Sequence, residues 1–190
     1  MPTHIPTSFC GAFLLGDNVN ENVETLTIIY NHQLTLDVAG QRAMRKPIIL
    51  LCASITEAFM YDLVYRIRYF TREGVAGIPD AIATYLRGVP NDDFSFVIDQ
   101  CKKHEIIGKK NDPIYNDLRL MRDLRNRIHI QNVKNILEQR EHNVFTRDRQ
   151  LLSEKTTEYV LKYLEKNYSR TFDAVGGVTL PWEPHVAHIP

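Results

Sequence analysis

The chain has 190 residues, enough for one domain or one domain with extensions, and 44% of them are apolar, so disorder is not the default reading. Its 23 basic and 23 acidic residues leave a formal net charge of zero, and global charge gives no argument for nucleic acid, although a local basic face could bind phosphate. Cys10, Cys52 and Cys101 are odd in number and widely separated, unlike a secreted disulfide framework, and are expected to be reduced thiols. Met1–Gly16 lacks the basic start and apolar run of a signal peptide. The longest apolar run, Pro47–Ile55, falls well short of a bilayer span, so a soluble, cytoplasmic protein without a membrane partner is expected.

Taken in chain order, Val19 to about Leu36 reads as a first helix, although Thr25, Thr27, Ile28, Ile29 and Tyr30 are weak helix formers. A long helix is expected from Arg45 or Pro47 to about Arg72, with apolar positions at Leu51, Ile55, Phe59, Leu63, Ile67 and Phe70. Pro47 suits its first turn and Gly74 its stop. Ile78–Tyr85 reads as a short helix. Asn91-Asp92-Asp93 resembles a cap for a helix over Phe94–His104. Asp112 as cap and Pro113 as first residue open the next helix, which is expected to reach at least Ile130 along Ile114, Leu118, Met121, Leu124 and Ile128. The pattern leaves open whether it continues through Leu137. Asp148 to about Tyr168 is the last helix, and Phe172–Pro190 is an extended tail that could cover another surface through Trp182. Strand signals are few. The fold class expected is all-α, an antiparallel up-and-down bundle of four to five main helices, with residues 1–44 an N-terminal extension, 45–168 the bundle and 169–190 the tail.

The segment with chemical content is Leu120-Met121-Arg122-Asp123-Leu124-Arg125-Asn126-Arg127-Ile128-His129-Ile130. On a helical wheel Arg122, Arg125 and His129 share an arc with Asn126 at its edge, beside the apolar stripe, whereas Asp123 and Arg127 point away as ordinary solvent-facing residues. Histidine exchanges a proton near neutrality. Arginine offers a fixed cationic fork for phosphate oxygens, and asparagine can orient either group. Cleavage of RNA by its own 2′-hydroxyl needs such a set and no metal or other cofactor. The plainer alternative is a solvated or ion-paired helix face, with Glu57 or Asp62 as partners for the arginines.

These residues resemble the signature of HEPN domains, an arginine and a histidine with four to six residues between them and a polar residue after the arginine. Arg122-Asp123 with His129 fits the six-residue spacing. Arg125-Asn126 keeps the frequent Arg-Asn pair one residue too close to His129, so both arginines stay candidates. The helix containing Ile48-Ile49-Leu50-Leu51-Cys52-Ala53-Ser54-Ile55-Thr56-Glu57-Ala58 also resembles an early helix of such bundles. The resemblance implies a bundle that dimerises with its signature helices facing each other, and an endoribonuclease of a toxin–antitoxin, abortive-infection or RNA-processing system. It equally admits a non-catalytic module that binds RNA, nucleotide or protein. An antitoxin or regulatory protein is a further expected partner. One toxin subgroup carries a modifiable tyrosine two residues after the histidine, where this chain has Gln131.

Other candidates carry less. Lys109 and Lys110 follow a glycine and could meet RNA phosphates, or could simply be solvated. Cys101 with His104, and His185 with His188, have the spacing of half a metal site, but no matching ligand pair follows either, and no metal is expected.

Overall fold

Apolar residues every three or four positions from Ile48 to Ile67 would make a helix with one buried stripe, but here nearly every side is apolar or small, so the helix must be enclosed by others. The computed structural model describes residues 1–11, 13–89, 91–128, 140–170 and 176–186. Among them the elements are, in chain order, β1 (Thr3–Pro6), α1 (Phe13–Thr35), α2 (Val38–Tyr69), α3 (Asp80–Arg87), α4 (Phe94–Lys103), α5 (Ile114–Asn126), α6 (Glu141–Val144), α7 (Arg147–Tyr168) and β2 (Gly177–Leu180). The chain is mostly helical. Its axis is α2, 32 residues long, with α1, α3, α4, α5 and α7 packed around it. An 18-residue window of α2 has a mean hydropathy of 1.6, enough by length and composition to cross a membrane, yet 61% of that window is buried by the surrounding helices.

Several boundaries differ from those the sequence suggests. The long helix begins at Val38, because the Asp37 carboxylate accepts the Gly40 N–H at 2.8 Å and caps it there. Pro47 therefore lies inside α2, and the helix ends at Tyr69, before Arg72. Gly74, at φ 68°, shapes the following turn, its N–H bonded to Phe70 O at 2.7 Å. α1 starts six residues earlier than Val19, at Phe13. At α4 no side-chain cap forms: Asn91 Oδ1 instead accepts Asp93 N–H at 2.9 Å, and Asp92 turns to Arg68. Asp112 does accept the Ile114 N–H, at 3.0 Å.

β1 has no counterpart in the sequence reading, and β2 falls within the stretch read as an extended tail. β1 and β2 pair antiparallel, with Thr3 opposite Leu180 and Ile5 opposite Val178. One face of this ribbon is buried, placing Ile5, Val178 and Leu180 in the same apolar cluster as Phe59, Met60 and Leu63 of α2. Phe9, Val19, Val23 and Leu26 join that cluster, so the segments read as an extension and a tail both contribute to the core. Trp182, just past β2, is also buried and lies against Tyr30, their rings 5.8 Å apart.

Polar bonds fix how the helices sit. Thr56 and Thr157 join α2 to α7 at 2.9 Å, and Gln33 and Gln150 exchange amide bonds of 3.0 and 2.9 Å between α1 and α7. Glu154 and Glu158, both buried in α7, hold the chain after β2. His185 Nε2 is 3.0 Å from Glu154, while Glu158 accepts the N–H groups of His185 and Val186 at 2.9 and 3.1 Å. Lys162 stands 2.6 Å from Glu158, so this buried carboxylate has a countercharge. Arg68, nearly buried in the last turn of α2, donates to Leu86 O, Val89 O and Asn91 O and pairs with Asp92, fastening α2 to the connection between α3 and α4.

Candidate functional site

α4 and α5 run antiparallel across a ten-residue connection, so the first turn of one lies against the last turns of the other. Tyr115 near the start of α5 bonds Cys101 O at 2.9 Å, Arg119 reaches Asp99 at 2.7 Å, and Arg122 Nη1 reaches Ser95 Oγ at 2.7 Å. This register brings Arg122 and Arg125 to one face, three residues apart, beside the α4 start. The Arg125 guanidinium lies 6.0 Å from the Phe94 ring centre and 2.7 Å from Glu57 of α2. Arg122 also holds the neighbouring Asp123 carboxylate, through Nε at 3.0 Å and Nη2 at 2.5 Å. Both arginines remain partly open, their side chains 24% and 35% exposed, whereas the Arg125 Nε is buried and makes no hydrogen bond among the described residues. Asn126 is exposed in the last residue of the helix.

Glu57 responds to this setting. Burial raises its carboxyl above the ordinary glutamate range, and the Arg125 charge opposes the shift. A raised carboxyl contributes stability below its unfolded value that is lost as pH rises through the folded one. Glu57→Gln is therefore expected to gain stability relative to the parent between about pH 4 and about pH 7. Urea denaturation at both values checks this, and a variant whose stability relative to the parent stays level or falls on raising pH contradicts it.

Three expectations from the helical wheel are corrected here. α5 ends at Asn126, not at or beyond Ile130. Arg127 N–H bonds Leu124 O at 3.2 Å and Ile128 N–H bonds Arg125 O at 3.0 Å, so the chain tightens to three-residue bonds and the wheel no longer applies. Arg127 is buried, 9% exposed, and Asp123 is paired with Arg122, so neither is an ordinary solvent-facing residue. Ile128, expected on the apolar stripe, is 56% exposed. His129, together with Gln131, Leu137 and His188, lies outside the described residues.

Lys109 and Lys110 are not part of this face. They sit before α5, whereas Arg125 is eleven residues beyond its start, about 16 Å along the axis. Lys109 pairs with Glu105 at 3.4 Å, and Lys110 N–H bonds the same carboxylate at 3.0 Å. Cys101 is fully buried, which pushes its thiol up to about 12, and the His104 ring lies against Tyr85. Asp62, the other expected partner for the arginines, accepts the Gly11 N–H at 2.8 Å. Phe94 and Ser95 were not anticipated as neighbours of the arginines. The Asn91-Asp92-Asp93 punctuation marks the start of α4, and an antiparallel α4–α5 pair would have placed that start beside Arg122. No known protein family, curated protein or solved structure matches this chain.

Proposed function

We propose that the chain is a HEPN-type endoribonuclease that cuts RNA without a metal ion, in the cytoplasm, as a homodimer whose two α5 helices contribute to a composite site. What supports the reading most is the shared face of Arg122 and Arg125: two partly open guanidiniums, tethered from α4 and α2, at the segment that resembles the HEPN signature. Their forks would hold the non-bridging oxygens of the scissile phosphate and stabilise the charge that builds there. The ribose 2′-oxygen attacks phosphorus as a base takes its proton, and the bond to the 5′-oxygen breaks as an acid protonates it. His129 is assigned one of these proton transfers, and Asn126 orients the site. A toxin or antiviral-defence role, with an antitoxin or regulatory protein as partner, belongs to the same proposal.

A second reading has its own observation. Each arginine already faces a carboxylate of its own chain, Arg122 with Asp123 and Arg125 with Glu57, which favours a non-catalytic HEPN-like module that binds RNA, nucleotide or protein. Incubation of single-stranded RNA with the parent protein and with His129→Ala in excess EDTA separates the two. The ribonuclease reading expects EDTA-resistant cutting that falls about a hundredfold or more in the folded variant. RNA left intact by the parent, or cut equally by both proteins, rejects it.

A further inference from the structure

α2 is covered on most sides, yet one ridge of aromatic rings on it is left in the open. Tyr61, Tyr65 and Tyr69 follow one another at four-residue steps, so each ring sits about 40° around the helix and about 6 Å along it from the last. The ring centres of Tyr61 and Tyr65 are 6.1 Å apart, and those of Tyr65 and Tyr69 are 4.6 Å apart. Phe70 closes on Tyr65 edge-on, at 6.2 Å and 77°. Exposure increases along the ladder, from half-buried Tyr61 to Tyr65 at 37% and Tyr69 at 58%.

We infer that this tyrosine ladder is a base-stacking track for single-stranded RNA leading to the Arg122–Arg125 face. The inference rests on the ribonuclease reading and adds the form of the substrate and the path it takes. Continuity is the first argument. Glu57, which holds Arg125, lies one turn before Tyr61 on the same helix, and Glu57 to Tyr69 spans about 18 Å. Asp92, whose charge acts on the Tyr61 hydroxyl, immediately precedes the α4 start that carries Phe94 and Ser95.

Charge is the second argument. Arg72, exposed in the turn three residues after Tyr69, makes no ion pair among the described residues and is free to meet phosphate. The acids nearest the ladder are engaged: Asp92 with Arg68, Glu73 with Arg170, Glu57 with Arg125. Cationic groups thus stand at both ends of an aromatic ridge. This combination holds single strands irrespective of sequence, because every base presents a face that stacks.

The form of the strand follows from spacing. The ring centres stand 6.1 and 4.6 Å apart, unevenly and both wider than the roughly 3.4 Å rise of one strand in a duplex, so the ladder does not match continuously stacked, paired bases. Splayed bases of a single strand can meet successive rings.

The test is binding of a fluorescein-labelled single-stranded RNA, methylated at its 2′-oxygens so that it cannot be cut, to the parent, Tyr69→Ala and Tyr69→Phe. Loss of the ring is expected to weaken binding about five- to a hundredfold, while phenylalanine, which still stacks, stays within about twofold of the parent. On unmodified RNA, Tyr69→Ala is expected to raise KM and leave kcat near that of the parent. Parent-like RNA affinity in folded Tyr69→Ala overturns the track, and with cleavage still present the ribonuclease reading survives. A parent that neither binds nor cuts RNA overturns both. Loss of self-association in Tyr69→Ala, with RNA affinity unchanged, would show the ladder to be a subunit contact and also overturn the inference.

Discussion

Arg125→Ala is expected to slow RNA cleavage about a hundredfold or more and to leave the fold standing. A preorganised donor aimed at transition-state charge typically contributes that much, and Arg122, held by Ser95 and Asp123, does not take over the fork that Arg125 supplies. The structural loss is smaller. The pair with Glu57 is partly exposed on both sides, at 35% and 23%, and such pairs contribute about 0–1 kcal/mol. The Phe94 ring, 6.0 Å from the guanidinium, adds at most about 1 kcal/mol. Arg125→Lys keeps the charge but loses the bidentate fork, so only part of the activity is expected to return. Single-turnover cleavage beside a thermal melt separates the two effects. Parent-like cleavage by Arg125→Ala would remove this residue from the site, and a collapsed melt would make its role structural.

Arg68→Ala is expected to lower stability by about 3 kcal/mol, the largest structural effect anticipated here. The side chain is 3% exposed and donates to three backbone carbonyls, Leu86 O at 3.1 Å and Val89 O and Asn91 O at 2.8 Å each, besides pairing with Asp92. Alanine leaves those acceptors without their donor and opens a void at the end of α2. The segment released runs directly into α4, whose Phe94 and Ser95 face Arg125 and Arg122, so slower cleavage is expected to accompany the lost stability. Urea denaturation should show a lower midpoint at an unchanged slope. A loss below about 1 kcal/mol would mean that water satisfies the carbonyls and that the clamp does not hold α4 in place.

These two arginines also show what the chain declares locally and what it does not. The apolar repeat from Leu51 to Ile67 reveals α2 because helical periodicity is written into a single segment. Its true start was obscured: Gly40 and Pro47 are residues that usually break helices, whereas the Asp37 cap depends on a backbone contact three residues away. β1 and β2 are four residues each and find each other across most of the chain, so neither carries enough alternation to be read alone. At the site, the three-residue spacing of Arg122 and Arg125 is local and legible, and Glu57 is one of the two acidic partners the sequence offers for them. The outer face of α5 is not legible for a different reason. A wheel gives direction but not what stands there, and the cluster of Ile49, Leu124, Val144 and Phe145 encloses the end of this helix, where Arg127 is buried.

The linkage at the ends of cut RNA bears most directly on the chemistry proposed for Arg122, Arg125 and His129. Attack by the neighbouring 2′-oxygen leaves a 2′,3′-cyclic phosphate on one fragment and a 5′-hydroxyl on the other, formed in the presence of EDTA. A 3′-hydroxyl facing a 5′-phosphate would mean that water attacked instead, and would contradict it.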